Sequence, residues 1–204
     1  MIAVIDYGVG NLFSLSCSLK AIGSDSVVTN DRKVIKEAEG IILPGVGAFG
    51  DAAEKLRNSG LGGIIKEEVR QGKKLLGICL GMQLLFEKSY EYGIHEGLGL
   101  LRGSVRPLEE LTRGDLLIPH MGWNSVTMTK DSPIFRETGD GAFVYFVHSY
   151  AAVPEDGSLA AVCDYGGNIT AAVSLDNVFG CQFHPEKSGR EGLAILDSFV
   201  RAKL

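Results

Sequence analysis

The sequence predicts an α/β fold, with a mainly parallel central sheet flanked by helices and with antiparallel strands added to the same sheet. Three observations support this prediction. The first half alternates short apolar runs with apolar residues at helical spacing, which is typical of parallel strands joined by crossover helices. The second half has short apolar runs between Gly, Pro, Asp and Asn turns, which favours antiparallel pairing. Near the end, one face of a closing helix is marked by Leu193, Leu196, Phe199 and Val200.

The individual elements follow from these patterns in chain order. In the first half, strands are predicted over residues 1–6, 26–29, 40–43 and 75–78. Helices are predicted over residues 11–22, 51–57 and 61–71, and a further helix begins within 80–87. In the second half, strands are predicted over residues 116–118, 143–147, 159–163, 169–173 and 178–183. No linker or repeat divides the chain, so residues 1–204 are predicted to form one domain.

Composition excludes several classes of protein. The formal net charge of -5 argues against a nucleic-acid binder, which usually carries a basic patch. No apolar run is long enough for a transmembrane helix, and the first residues lack the features of a signal peptide, so a cytoplasmic protein is expected. The four cysteines have no metal-type spacing with the histidines and are expected to be free thiols, with no metal and no organic cofactor needed.

One cysteine stands where a nucleophile is expected. Cys79 lies between a predicted strand and a predicted helix, in the pattern Gly-x-Cys-x-Gly, the thiol counterpart of a nucleophile elbow. Gly77 and Gly81 would remove side chains that clash at the sharp turn. The amides at the start of the following helix favour a thiolate, and the N–H of Leu80 is placed to bind an oxyanion. A buried cysteine with incidental glycines remains the alternative.

A base and an orienting acid are predicted at His184 and Glu186. Pro185 favours an extended conformation for His184, and in an extended chain residues two apart face the same way. Glu186 would then hold one imidazole nitrogen while the other addresses Cys79. A surface turn is the alternative interpretation of this segment. The rival bases are His120 and His148, and His148 is the stronger because its Tyr-Phe-Val-His-Ser-Tyr surroundings also resemble a motif. The chain order Cys, His, Glu differs from that of α/β-hydrolases and counts against that fold.

A second source of oxyanion-binding amides is the glycine-rich turn after the third strand. Gly45, Val46 and Gly47 follow Pro44 there, and such a turn can expose backbone N–H groups to an anion. An ordinary turn before a helix explains the same residues equally well.

Together these segments resemble the class I, triad-type glutamine amidotransferases over essentially the whole chain. The matching motifs are Asp6 to Asn11, Pro44 to Gly47, Gly77 to Phe86, Pro119 to Asn124, Tyr145 to Tyr150 and Gln182 to Ser188. The resemblance implies a flavodoxin-like sheet and hydrolysis of glutamine through a thioester on Cys79. It also implies that the ammonia goes to a (β/α)8-barrel cyclase of histidine biosynthesis, which makes imidazole glycerol phosphate and an aminoimidazole carboxamide ribotide.

The resemblance also implies roles for individual residues. Gly47 and Leu80 would line the oxyanion site. The residues expected to hold glutamine are Gln83, Glu91, His148, Ser149 and Tyr150. Those expected near the cyclase in a heterodimer are Asn11, Trp123 and Lys187.

The loop containing Met121 and Trp123 allows two interpretations. It is rich in turn-forming residues, and tryptophan is enriched among binding hot spots, so both residues are predicted to contact the partner. Alternatively, Trp123 caps the core, which its residue type alone would favour.

Three further functions compete. A strand followed by Gly8 and Gly10 suggests a dinucleotide site, but Phe13 stands where that motif has its third glycine. A stand-alone cysteine peptidase or deglycase, and an inactive scaffold that binds a partner, are disfavoured because every triad position is filled.

Overall fold

The computed structural model describes residues 1–203, which form fourteen strands and seven α-helices. The strands are β1 (Ile2–Ile5), β2 (Ser26–Thr29), β3 (Gly40–Leu43), β4 (Lys74–Ile78), β5 (Phe86–Ser89), β6 (His95–Glu96), β7 (Leu101–Pro107), β8 (His120–Ser125), β9 (Thr127–Met128), β10 (Phe143–His148), β11 (Tyr150–Pro154), β12 (Leu159–Asp164), β13 (Asn168–Leu175) and β14 (Val178–Cys181). The helices are α1 (Leu12–Ala21), α2 (Arg32–Glu37), α3 (Phe49–Asn58), α4 (Leu61–Arg70), α5 (Leu80–Gln83), α6 (Leu108–Leu111) and α7 (Gly189–Arg201). Two 3-10 turns cover Pro133–Phe135 and Pro185–Lys187.

The central sheet has eight strands in the order β2-β1-β3-β4-β14-β13-β12-β9. The first five strands in that order are parallel, and their arrangement is the flavodoxin-like order 2-1-3-4-5. The remaining three pair antiparallel and extend the sheet beyond β14. The predicted α/β class with a mainly parallel sheet and added antiparallel strands is therefore confirmed.

Helices cover both faces of this sheet, which explains why β1, β3, β4 and β14 are buried along their whole lengths. On one face, α1 and α7 contribute Leu15, Leu19, Ile195, Leu196 and Phe199 to the core. On the other, α3 and α4 contribute Ala52, Leu56, Ile64 and Ile65. No helix within residues 1–203 combines the length and apolar character that crossing a membrane would require.

Two smaller sheets lie outside the central one. Strands β8 and β10 form an antiparallel ribbon, and β11, β7, β5 and β6 form a four-stranded sheet. The strand predicted over 143–147 exists, but it belongs to the ribbon, so its assignment to the central sheet was wrong. The pattern did not reveal α2, α6, β5 to β9 or β11.

Two predicted elements are wrong. Residues 116–118 form no strand, because the chain bends at Ile118 and Pro119 and the Leu117 side chain is exposed. The helix that begins at Leu80 ends at Gln83 instead of continuing towards Glu87. Beyond it, the carbonyls of residues 84–86 accept backbone hydrogen bonds from residues 98–101, so a contact distant in sequence replaces the helix.

Candidate active site

Cys79 occupies a strained turn at the carboxyl end of β4. Its φ of 54° and ψ of -113° are costly for a residue with a side chain, and such strain is concentrated at functional sites. A Cβ on Gly81 would lie 1.8 Å from the carbonyl oxygen of Leu43, and one on Gly77 would lie 2.7 Å from the carbonyl oxygen of Gly81. Both glycines are thus required for the close approach of β3, β4 and α5, as the motif predicts.

His184 follows β14, the strand beside β4, and its side chain is held by Glu186. The His184 Nδ1 and Glu186 Oε1 atoms are 2.8 Å apart, and each side chain is only 4% exposed. The His184 backbone is fixed as well, since its N–H donates to the carbonyl of Tyr145 and its carbonyl accepts from the Ser188 hydroxyl. The extended conformation predicted through Glu186 is wrong, because Pro185–Lys187 form a 3-10 turn that brings the carboxylate back to the ring.

The imidazole of His184 is stabilised in its protonated form. Burial by itself lowers the pKa of His184, but hydrogen bonds and charge interactions with Cys79 and Glu186 outweigh burial and raise the pKa to about 10. Glu186 occupies Nδ1, so Nε2 is the nitrogen left for the thiol. A buried histidine between a thiol and a carboxylate can take and return a proton.

His148 lies on the same cavity in a different state. Its Nδ1 is 2.9 Å from the carbonyl oxygen of Tyr150, and its Nε2 is 3.0 Å from Nδ1 of His120. Since a carbonyl only accepts, His148 carries its proton on Nδ1 and accepts at Nε2. Burial lowers the pKa of His148 to about 4, and burial also lowers the pKa of His120. Neither nitrogen of His148 is left to serve Cys79.

The sulfur and these two histidines open onto one cavity of about 270 Å³. The other residues that line it are Val46, Gly47, Leu80, Gln83, Glu91, Val147, Ser149 and Tyr150. The structure thus brings together most residues that the sequence places at the catalytic, oxyanion and glutamine-binding positions. Val147 was not among them, although its carbonyl oxygen lies 4.0 Å from the Cys79 sulfur.

Only part of the glycine-rich loop that was predicted to bind an oxyanion borders the cavity. Leu80 is the first residue of α5, so its N–H has no acceptor within the helix. Val46 and Gly47 border the cavity, whereas Gly45 lies outside the lining. A Cβ on Gly45 would lie 2.9 Å from the Tyr7 hydroxyl, which itself donates to the carbonyl of Pro44 at 2.8 Å. Tyr7 therefore anchors the start of the loop.

Two side chains predicted to hold glutamine make internal hydrogen bonds. Gln83 Nε2 donates to the carbonyl of Tyr150 and to Oε1 of Gln182, both at 2.9 Å. Glu91 accepts from the N–H of Phe49 at 2.5 Å and so caps the N-terminus of α3. Gln182 was missed in the sequence, although it begins the motif that contains His184. Its Nε2 lies 3.7 Å from the Cys79 sulfur.

The residues predicted at the partner interface fall into two places. Met121 is 62% exposed and Trp123 is 55% exposed on the outer face of the ribbon β8–β10, so Trp123 does not cap the core. Lys187 is exposed nearby, with its Nζ 5.6 Å from the ring centre of Tyr145, which packs edge-on against Trp123. Asn11 precedes α1 and borders a small void beside Glu186.

Within residues 1–203, no group of three or more histidine, cysteine or carboxylate side chains is arranged to hold a metal ion. The chemistry available at the cavity is that of a thiol in a strained turn, a buried histidine–carboxylate pair and unpaired backbone amides. Together these groups are typical of an enzyme that transfers an acyl group through a cysteine thioester.

Comparison with known proteins gives the family. The profile described as "Glutamine amidotransferase class-I" matches residues 3–202. The chain is 50% identical over 200 residues to "Imidazole glycerol phosphate synthase subunit HisH" of Aquifex aeolicus, covering 97% of this chain and 95% of that protein. It is 47% identical over 206 residues to the protein of the same description from Geobacter sulfurreducens, covering 99% of both. The chain therefore belongs to the class-I glutamine amidotransferase family and, within it, to the HisH subunits.

Solved structures support the same fold. A structure described as "Crystal structure of glutamine amidotransferase" matches with a TM-score of 0.76 at 16% identity, covering 98% of each chain. "Structure of PurLQS from Thermotoga maritima" matches with a TM-score of 0.74 at 22% identity, covering 98% of this chain and 96% of that one. The family and fold implied by the sequence motifs are both confirmed.

Proposed function

We propose that this chain hydrolyses glutamine to glutamate and ammonia through a thioester on Cys79. The ammonia is supplied to a cyclase subunit that makes imidazole glycerol phosphate and aminoimidazole carboxamide ribotide in histidine biosynthesis. The observation that carries the proposal is the strained Cys79 on one cavity with the buried His184–Glu186 pair. The names of the relatives, which are subunits of imidazole glycerol phosphate synthase, support the same assignment.

The reaction begins at the sulfur. The thiolate attacks the side-chain amide carbon of glutamine, a C–S bond forms, and the carbonyl electrons move to oxygen. The N–H of Leu80 and the amides of the Val46–Gly47 segment stabilise that oxyanion. When the intermediate collapses, the C–N bond breaks and protonated His184 gives its proton to the leaving nitrogen, which departs as ammonia.

The second half of the reaction releases glutamate. A water molecule attacks the thioester while His184 takes one of its protons. The C–S bond then breaks and the thiolate is restored. Glu186 holds Nδ1 of the imidazole, which keeps Nε2 directed at the reacting atoms and stabilises the imidazolium.

The remaining cavity residues hold the substrate. Both hydrogens of Gln83 Nε2 are already donated within the protein, so Gln83 presents only its Oε1, an acceptor, to glutamine. Glu91 adds a carboxylate, and Ser149 and Tyr150 line the wall that also carries His148. An acceptor and a carboxylate suit the α-ammonium group of glutamine. His148 shapes this wall without a free ring nitrogen.

The cyclase, a (β/α)8 barrel, docks as a heterodimer against the outer face of the ribbon. Support comes from the exposure of Met121 and Trp123 on that face and from Lys187 beside them. Asn11 extends this surface towards the void next to Glu186. The complex acts in the cytoplasm, where the four free cysteines fit a reducing compartment.

The test uses the complex of this chain with the cyclase. Cys79→Ser is expected to abolish synthesis that depends on glutamine while synthesis from added ammonium salt continues, because the cyclase does not use this thiol. Cys17→Ser is the matched control, since Cys17 is an exposed cysteine on α1, and it is expected to keep both activities. Glutamine turnover near the wild-type rate in Cys79→Ser would contradict the proposal.

A further inference from the structure

A buried side-chain amide touches the sulfur that the proposed reaction uses. Gln182 is completely buried, and its Nε2 lies 3.7 Å from Sγ of Cys79. Its backbone is fixed at the end of β14, where its N–H donates to the carbonyl of Ala171 at 2.8 Å. An uncharged amide with no access to solvent is costly unless it is hydrogen-bonded, so each of its contacts has a consequence.

The orientation of this amide is set by its neighbours. Gln83 Nε2 donates one hydrogen to the carbonyl of Tyr150, which only accepts, and the other to Oε1 of Gln182. Turning the Gln83 amide over would place its oxygen against the Tyr150 carbonyl, which is repulsive. Because Oε1 of Gln182 must face Gln83, the N–H donors of Gln182 face Cys79.

The two polar neighbours of the sulfur act in opposite ways on its charge. The carbonyl oxygen of Val147, 4.0 Å away, can accept from the thiol but repels a thiolate. The amide of Gln182 donates, and a donor is bound more strongly by an anion than by a neutral sulfur. The Gln182 contact is therefore stronger in the reactive form of Cys79.

We propose that Gln182 is a further catalytic residue, whose side-chain amide donates a hydrogen bond to the Cys79 thiolate and stabilises it, while Gln83 locks that amide in the donating orientation. This inference rests on the proposed role of Cys79 as the nucleophile. In this inference Gln83 orients the amide of Gln182 as well as binding substrate. Gln182 acts directly on the reacting sulfur.

The test measures how fast Cys79 reacts with iodoacetamide as a function of pH, in the full-length chain, by mass spectrometry of the Cys79 peptide. In Gln182→Met the side chain is of similar size but has no donor, and the pH midpoint of alkylation is expected to rise by about one unit, as the loss of one charge-assisted hydrogen bond implies. In Gln182→Glu an acceptor for Gln83 remains but an acidic group replaces the donor, so the midpoint is expected to rise further.

The alkylation experiment has a control variant and an internal control thiol. Cys181→Ala changes the preceding residue of the same region without removing a donor to Cys79, and its midpoint is expected to match that of the wild type. Exposed Cys17 reports an ordinary thiol in every sample. Thermal unfolding verifies that each variant folds. If Gln182→Met does not fold, the alkylation midpoint of Gln182→Glu tests the inference instead, because glutamate has almost the same shape as glutamine.

An unchanged midpoint in a folded Gln182→Met or Gln182→Glu protein would overturn the inference. The failure of the proposed function would look different. In that case wild-type Cys79 itself would react no faster than Cys17 at the same pH, whatever residue stands at position 182.

Discussion

His148 and His184 both line the cavity, and they differ in protonation although both are buried. Burial lowers the pKa of both rings, and for His148 it prevails and the pKa falls to about 4. For His184 the neighbours Cys79 and Glu186 outweigh burial, and the pKa rises to about 10. The difference lies in the partners, because Glu186 brings a carboxylate to one ring, whereas His120 and the carbonyl of Tyr150 bring none to the other.

This contrast distinguishes the proposed acid–base residue, His184, from His148, whose hydrogen bonds are internal to the protein. His184 has one nitrogen held by a carboxylate and one left for the thiol. Both nitrogens of His148 are used inside the protein. Two histidines can therefore line one cavity while only His184 has the arrangement that general acid–base catalysis requires.

The largest expected effect comes from removing the proposed base. His184→Ala is expected to lower glutamine turnover in the complex by several orders of magnitude, since it removes the group that moves the proton. His148→Gln is the matched comparison and is expected to lose about tenfold or less, roughly the value of one hydrogen bond. The comparison would fail if His148→Gln lost as much activity as His184→Ala.

A smaller effect is expected on stability at acid pH. The folded-state pKa of His148 lies about 2.5 units below the ordinary value of 6.5, so unfolding takes up a proton as the pH falls. His148 therefore contributes stability that is present above pH 6.5 and is lost as the pH falls towards 4, about 3 kcal/mol in all. Denaturant unfolding between pH 4 and 7 is expected to show a shallower acid decline in His148→Phe.

The control for this prediction is His95→Gln, because His95 lies in β6 outside the histidine network. This substitution leaves the contact between His120 and His148 in place, so it reports the effect of losing a histidine elsewhere in the protein. For His184 the change of stability with pH has the opposite sign. Its raised pKa gives stability that is present below pH 6.5 and is lost as the pH rises through about 10. If the free energy of unfolding declined equally with falling pH in the wild type and in His148→Phe, the lowered pKa of His148 in the folded protein would be contradicted.

The smallest effect on the free chain is expected at the ribbon. Trp123→Ala is expected to leave the melting temperature almost unchanged, because the side chain is more than half exposed, and to weaken binding of the cyclase or its stimulation of glutamine hydrolysis. Phe146→Ala removes a fully buried ring from the same ribbon and is expected to cost about 3–5 kcal/mol of stability. A large fall in melting temperature with normal coupling in Trp123→Ala would show that Trp123 supports the fold.

The sequence predicts local elements and fails where pairing is distant. The strands at Ser26–Thr29 and Gly40–Leu43 match their predicted bounds, because short apolar runs between polar segments define them locally. The ribbon and the early end of α5 depend on hydrogen bonds between segments far apart in the chain. The sequence pattern within a segment does not indicate which distant segment it will pair with. The assignment of residues 1–204 to one domain stays a prediction.

The candidate site follows the same rule. Cys79 and His184 stand in motifs that can be recognised within a few residues. Gln182 stands in one of those motifs too, but its contact with the sulfur depends on Gln83, which is 99 residues away. The state of His148 likewise depends on His120, whose place beside it results from the pairing of β8 with β10.

The central claim is that Cys79 is the nucleophile of a glutamine-hydrolysing site. The most direct measurement is peptide mapping after treatment with an electrophilic analogue of glutamine that alkylates the thiol it reaches. The label is expected on Cys79 alone, to be slowed by added glutamine, and to be absent from Cys17, Cys163 and Cys181. Labelling of another cysteine in preference to Cys79, or labelling of Cys79 that glutamine does not slow, would contradict the account.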